Sequence, residues 1–208
     1  MRHARTLSRW SLAGLLAIAG TARAASLDAA IAADYPYLES LFRHFHAHPE
    51  LSMQEHETAK RLAAEFRQLG FTVTEGVGTT GVVALLENGP GPRLLLRADM
   101  DALPVQEKTS LPWASKQRQV NLEGEEMPVM HACGHDMHMT NLVGVARRMV
   151  AMKDQWRGTL MLVGQPAEED LGGARGMVAD GLYPRFGRPA FALALHVIPK
   201  YPAGKIAF

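Results

Sequence analysis

A chain of 208 residues, 47% hydrophobic and 21% charged, has the composition of a globular protein and not of a disordered or fibrous one. Its 22 basic and 21 acidic residues nearly cancel, and no basic stripe interleaved with aromatics marks a nucleic-acid surface. The length suits one domain with a sizeable core, or one domain and part of a second.

Residues 1–24 read as a secretory signal peptide. Arg2, Arg5 and Arg9 give a positive start, an apolar run follows over 10–20, and Ala22-Arg23-Ala24 supplies a small-x-small cleavage pattern. The run is too short to span a bilayer, which needs ~20 apolar residues. Loss of four arginines with the leader turns a formal charge of +1 into −3. Residues 25–208 are therefore expected as a secreted or periplasmic protein with no membrane attachment after cleavage. In that compartment cysteines normally pair, yet Cys133 is the single cysteine of the chain.

Apolar positions at helical spacing predict a helix over 27–45, with Pro49 closing the region. A second helix is predicted over 55–69, where Ala59, Leu62, Ala63, Phe66 and Leu69 make one stripe and Gly70 stops it. Short strands follow over 71–74 and 81–86, a Gly/Pro turn over 88–92, and a buried strand over 93–97. Residues 109–126 read as an irregular polar loop. A helix over 136–152, a strand over 158–163, a short helix over 173–180 and a strand over 190–197 complete the series. Strands alternating with helices indicate an α/β fold with a mostly parallel sheet flanked by helices.

Polar clusters sit where those strands end. Asp99 and Asp101 follow 93–97, Glu168 and Glu169 follow 158–163, and His196 lies near the end of 190–197. His131-Ala132-Cys133-Gly134-His135-Asp136-Met137-His138 immediately precedes a helix. Ligands of open α/β sheets bind outside the carboxyl ends of the strands, so these segments outline one metal-binding cleft.

Cys133 and His135 are two apart, which in extended backbone places both side chains on one side. A nearby divalent ion would also explain an unpaired thiol in an oxidising compartment. Glu168 and Glu169 could divide between binding metal and facing its water, although a solvated acidic turn, with Asp170 following, is the better reading of that pair taken alone. Asp99 and Asp101 could orient a histidine ligand or form a turn beside Pro104. His44, His46 and His48 fall on a predicted helix and its end, where structural or loop roles are expected.

Together these segments resemble the amidohydrolase branch of the two-metal exopeptidase and aminoacylase family, the branch of hippurate hydrolase, N-acetyl-diaminopimelate deacetylase and the plant auxin-conjugate hydrolases. The resemblance runs from about Leu38 to the last residue. It rests on His46-Ala47-His48-Pro49-Glu50-Leu51-Ser52, the run from Arg97 to Pro104, Met130 to Asp136, Gln165 to Glu169, and Ala194 to Val197 followed by Pro202-Ala203-Gly204. It implies a zinc-exopeptidase-like catalytic domain, of which this chain carries the N-terminal part and ends before the lid and dimerisation domain. Full-length relatives are expected as homodimers.

The resemblance also implies two divalent ions per site, zinc or manganese. Cys133, His135, Glu169 and His196 match the ligands, Glu168 the general base, and Asp101 the aspartate that steadies the site. Asp99 stands where many relatives carry a histidine ligand, so its role is open. The implied reaction is hydrolysis of N-acyl amino acids to a carboxylic acid and an amino acid. The alternative is a catalytically inactive fragment or metal-binding module, because relatives draw a further histidine ligand from a region beyond this sequence.

Overall fold

The structure is a computed structural model that describes residues 11–207, with side chains from residue 27 onward. The predicted leader therefore lies partly outside the described residues and is otherwise seen as backbone alone. The chain divides into two compact units at the Tyr37–Leu38 junction. Helix α1 (Ser11–Ala47) is longer than the predicted 27–45. Among the described residues no helix is long and apolar enough to cross a membrane.

The second unit is a five-stranded sheet with helices on both faces. Helix α2 (His56–Gln68) follows the sequence stripe closely and buries Ala59, Leu62, Ala63 and Phe66. The Glu50 carboxylate caps it by accepting the N–H groups of Glu57 and Thr58. The strands are β1 (Thr72–Val77), β2 (Gly81–Asn88), β3 (Arg93–Asp99), β6 (Gly158–Gln165) and β7 (Phe191–Ala194). Their order is β1-β2-β6-β3-β7. β3 pairs parallel with both β6 and β7, while β2 is antiparallel to β1 and β6. Four strands thus point one way and β2 alone runs against them, in keeping with a mostly parallel sheet.

Strand alternation divides the core into two layers. On one face Leu160 and Leu162 of β6 pack with Leu41, Phe45, Phe66 and Val143. On the other, Met161 and Val163 meet Met177 and Leu182. Because β6 is covered on both faces, it reads as a continuous apolar run. The layers are closed by α3 (His135–Ala151), α4 (Gly173–Ala179) and α5 (Leu182–Phe186).

Four details depart from the sequence reading. The stretch 109–126 contains β4 (Arg118–Val120), which pairs with β5 (Glu126–Pro128) as a small hairpin. Helix α5 was not expected, since Pro184 lies within it. Strand β7 ends at Ala194, so His196 belongs to the segment beyond it. Finally, α3 starts at His135, so Cys133 and His135 do not share a strand face. Gly134 joins them in a left-handed conformation (φ 86°), which turns His135 into the first helical turn.

Candidate metal centre

The parallel register aligns the carboxyl ends of three strands. Asp99 is level with Gln165, and Arg97 with Ala194. Asp101, the Glu168–Glu169 pair and His196 therefore emerge along one rim, and the N-terminus of α3 brings Cys133 and His135 to meet them. The ligand atoms of Cys133, His135 and Glu169 lie within 4.8 Å of one another. Asp99, His135, His138 and His196 form an overlapping group within the same limit.

His135 is fully buried at the centre. Its Nδ1 donates to the Asp101 carbonyl oxygen at 2.8 Å and lies 3.3 Å from Asp101 Oδ1. That bond fixes the ring and, in the neutral imidazole, leaves the lone pair on Nε2. Nε2 has no hydrogen-bond partner among the described residues, and it lies 3.8 Å from both Glu168 Oε2 and Glu169 Oε1. Glu169 Oε1 is likewise buried and unpartnered. Burying polar atoms without partners is costly. Two such atoms aimed at a thiol form a donor set that fits a divalent cation.

Cys133 supports the same fit. Burial and then the neighbouring Glu169, Glu168 and Asp99 carboxylates push its thiol up to about 12. A thiol held protonated by surrounding carboxylates becomes a ligand only when a cation offsets their charge. Its Sγ lies 3.5 Å from His196 Nε2, while His196 Nδ1 donates to the Val197 carbonyl at 2.6 Å.

The two aspartates are braced differently. Burial raises Asp99, but the bond from His138 and the charges of His135, Arg97 and His138 outweigh it and hold the carboxyl at about 2. Asp101 is raised by burial and lowered further by His135, by Ser52 and by the backbone N–H groups of Glu169 and Glu168. Its Oδ2 accepts the Ser52 hydroxyl at 2.6 Å and the Glu169 N–H at 3.0 Å.

The structure brings together Cys133, His135, Glu168, Glu169, His196, Asp99 and Asp101, all named from the sequence. It also gives His138 a task the sequence did not specify. His138 Nδ1 faces Asp99 Oδ1 at 2.5 Å, and its Nε2 accepts the Val197 N–H at 2.9 Å. With both nitrogens engaged, His138 ties β3 to the segment carrying His196 and is not free to ligate. His131 is buried with neither nitrogen partnered among the described residues, and burial pushes it down to about 4, so it stays neutral. His46 has the structural role expected of it, between Asp136 and Glu107.

Known proteins share this chain's sequence and fold. A family model described as peptidase family M20/M25/M40 matches residues 95–208. The chain is 44% identical over 149 residues to a hippurate hydrolase of Campylobacter jejuni, covering 71% of this chain and 36% of that protein. It is 43% identical over 169 residues to thermostable carboxypeptidase 1 of Saccharolobus solfataricus, covering 79% and 40%. The Bacillus subtilis YXEP protein, described as a dinuclear metal binding peptidase, superposes with a TM-score of 0.73 at 34% identity over 83% of this chain and 45% of its own. The chain thus spans less than half the length of each of these relatives.

Proposed function

The chain belongs to peptidase family M20/M25/M40, and from that premise we propose that it carries the metal-binding part of a hydrolase cleaving the amide bond of N-acyl amino acids. The observation that carries the proposal is the convergence of Cys133, His135 and Glu169, with His135 Nε2 and Glu169 Oε1 buried and unpartnered among the described residues. Hippurate-like and N-acetyl amino acids are the substrate class, a reading supported by the hippurate hydrolase relative.

In this reading Cys133, His135, Glu169 and His196 hold two divalent ions, as the dinuclear relative suggests. Zinc suits the cysteine and histidine donors, and the carboxylates also admit manganese. When bound, such ions lower the pKa of water and polarise a carbonyl. Glu168 Oε2, on a side chain 33% exposed, faces both the cluster and solvent. It takes the proton of the attacking water and returns it to the departing amine nitrogen. Asp101 orients His135 and fixes the backbone of Glu169, so it acts as a positioning residue. The basic and then apolar start, with Ala22-Arg23-Ala24, supports export of the protein.

The test is metal content and hydrolysis of hippurate and N-acetyl amino acids by the purified chain, with Glu168→Ala and Cys133→Ala alongside. Glu168→Ala should keep its metal and lose turnover by about 10²–10⁴-fold, while Cys133→Ala should lose metal. A folded chain that takes up no divalent ion would overturn the reading. Metal uptake without turnover would leave the chain a metal-binding module, the second reading.

A further inference from the structure

Glu55 stands outside the metal cluster yet is fully buried, at 0% exposure. Its Oε1 accepts the Met53 N–H at 3.1 Å and the Ala167 N–H at 2.8 Å, and its Oε2 accepts the Thr80 hydroxyl. These donors come from its own loop, from the turn between β1 and β2, and from the turn that follows β6. Burial raises the Glu55 pKa against the pull of Thr80 and Ala167. All three partners are donors, an arrangement suited to an ionised carboxylate.

Two members of this set have left-handed backbone, the half-buried Met53 (φ 64°) and the buried Ala167. Ala167 is a buried non-glycine residue with φ 44°, in the left-handed region, which costs roughly 1–3 kcal/mol and persists only where surroundings enforce it. The enforcement comes from two sides. Glu55 holds its N–H, and its carbonyl oxygen accepts the N–H groups of Gly172 and Gly173. Gly173 packs so closely on the Pro166 carbonyl that a Cβ there would collide with it. The reversal at Ala167 decides where Glu168 and Glu169 point. Glu169 is then pinned by its own N–H on Asp101 Oδ2, the oxygen that also accepts Ser52. One loop, 50–55, thus braces both Asp101, through Ser52, and the turn carrying Glu168 and Glu169, through Glu55.

We propose that Glu55 is a positioning residue whose buried carboxylate holds Ala167 in its left-handed conformation and so aims Glu168 and Glu169 at Cys133 and His135. The inference rests on the metal-site reading above, but cobalt(II) affinity tests it without turnover. Glu55 itself is shielded from substrate, so its effect passes through the backbone of the 166–169 turn.

The experiment compares the full chain with Glu55→Gln, Glu55→Met and the double variant Glu55→Met/Ala167→Gly. Cobalt(II) affinity is read by competition with a chromophoric chelator and by the Cys133 thiolate–cobalt absorption, with near-UV circular dichroism as the folding control. Glu55→Gln keeps an acceptor oxygen for both N–H groups and should bind cobalt close to the parent chain. Glu55→Met fills the space but accepts nothing, and should weaken binding by about 10–100-fold. Glycine adopts the left-handed conformation without a side-chain penalty, so the double variant should recover part of that loss. A folded Glu55→Met with parental affinity would sink the proposal, as would a Glu55→Gln as weak as Glu55→Met. Hydrogen exchange on the parent chain supplies a reading that needs no variant. The Ala167 amide should be protected, and free exchange there would also overturn the assignment. If the parent chain binds cobalt but hydrolyses nothing, the hydrolase reading fails while these affinities still decide the role of Glu55.

Discussion

The most quantitative consequence of the structure concerns His46, which lies between two carboxylates and is only 7% exposed. Its Nδ1 meets Asp136 Oδ2 at 2.7 Å and its Nε2 meets Glu107 Oε1 at 3.1 Å. The bond to Asp136 raises its pKa most; burial opposes the rise and Glu107 adds to it, bringing the group to about 9 from 6.5. The Phe42 ring packs against the imidazole with centroids 5.7 Å apart, and the neutral His131 adds no charge. A folded-state pKa above the unfolded one contributes stability that is complete below pH 6.5 and is lost as pH rises through about 9. The gap between those values corresponds to about 3 kcal/mol. Urea unfolding curves at pH 6.5 and above pH 9 should therefore differ in midpoint by roughly 1–3 M, given slopes of about 1–3 kcal/mol per M. In His46→Gln this alkaline loss should vanish, while stability near neutral pH falls because two buried carboxylates lose their cation. Comparison of the two proteins isolates His46 from His135, which titrates in both. Equal pH slopes in the parent and His46→Gln would refute the reasoning.

Three further outcomes are expected. Gly134→Ala forces a side chain into a left-handed position and against Val197, whose N–H meets His138. It should cost more than about 1 kcal/mol in thermal unfolding and weaken metal binding together with it. Phe66→Ala empties a fully buried site beside Phe71 and should cost about 3–5 kcal/mol in urea unfolding. Chelation of a chain loaded at about 1,000 times its Kd should remove about 4 kcal/mol, seen as a fall in Tm of roughly 8–16 °C.

Much of this was legible in the sequence where the signal is local. The stripe of α2 and the apolar run of β6 follow from spacing alone, and the candidate site residues stood out by falling just beyond strands or at the start of α3. What stayed hidden depends on distant contacts or on small elements. Strands β4 and β5 carry only three residues each and show no alternating apolar pattern. Helix α5 spans five residues, one of them a proline. His46 read as one of three histidines near a helix end, because its partners stand 61 and 90 residues away. Glu55 looked like an ordinary acidic residue at a helix start, a common place for one. Its partner Ala167 is 112 residues distant, and no local pattern marks alanine for a left-handed position. The Cys133–His135 pair shows a subtler failure. Convergence was predicted from extended backbone, but it arises from the left-handed Gly134, which sequence spacing does not distinguish from a strand.

The charge around Cys133 carries a consequence for how the centre assembles. Asp99 and Asp101 are held in their ionised forms by hydrogen bonds from His138, His135, Ser52 and the backbone of Glu169. Arg97 sits 2.7 Å from Asp99 Oδ2 and also bonds Gln165, so its charge is shared with that pair. Within this carboxylate-rich pocket a thiolate is strongly disfavoured, so Cys133 enters the binding reaction as a thiol with a pKa of about 12. Ligation needs the thiolate, and therefore uptake of a divalent ion must expel that proton. His135 acts in the same sense, since Asp101 and Asp99 outweigh burial and raise its pKa, and Nε2 must be unprotonated to ligate. Metal affinity should consequently rise with pH, by close to tenfold per unit for each proton released. Calorimetric titration in buffers of differing ionisation enthalpy counts those protons directly. At least one per chain is expected, and Cys133→Ala should remove one from the count. Binding with no proton release would mean that the thiol stays protonated and stands outside the ligand set, leaving Glu169 and the histidines to hold the ion alone.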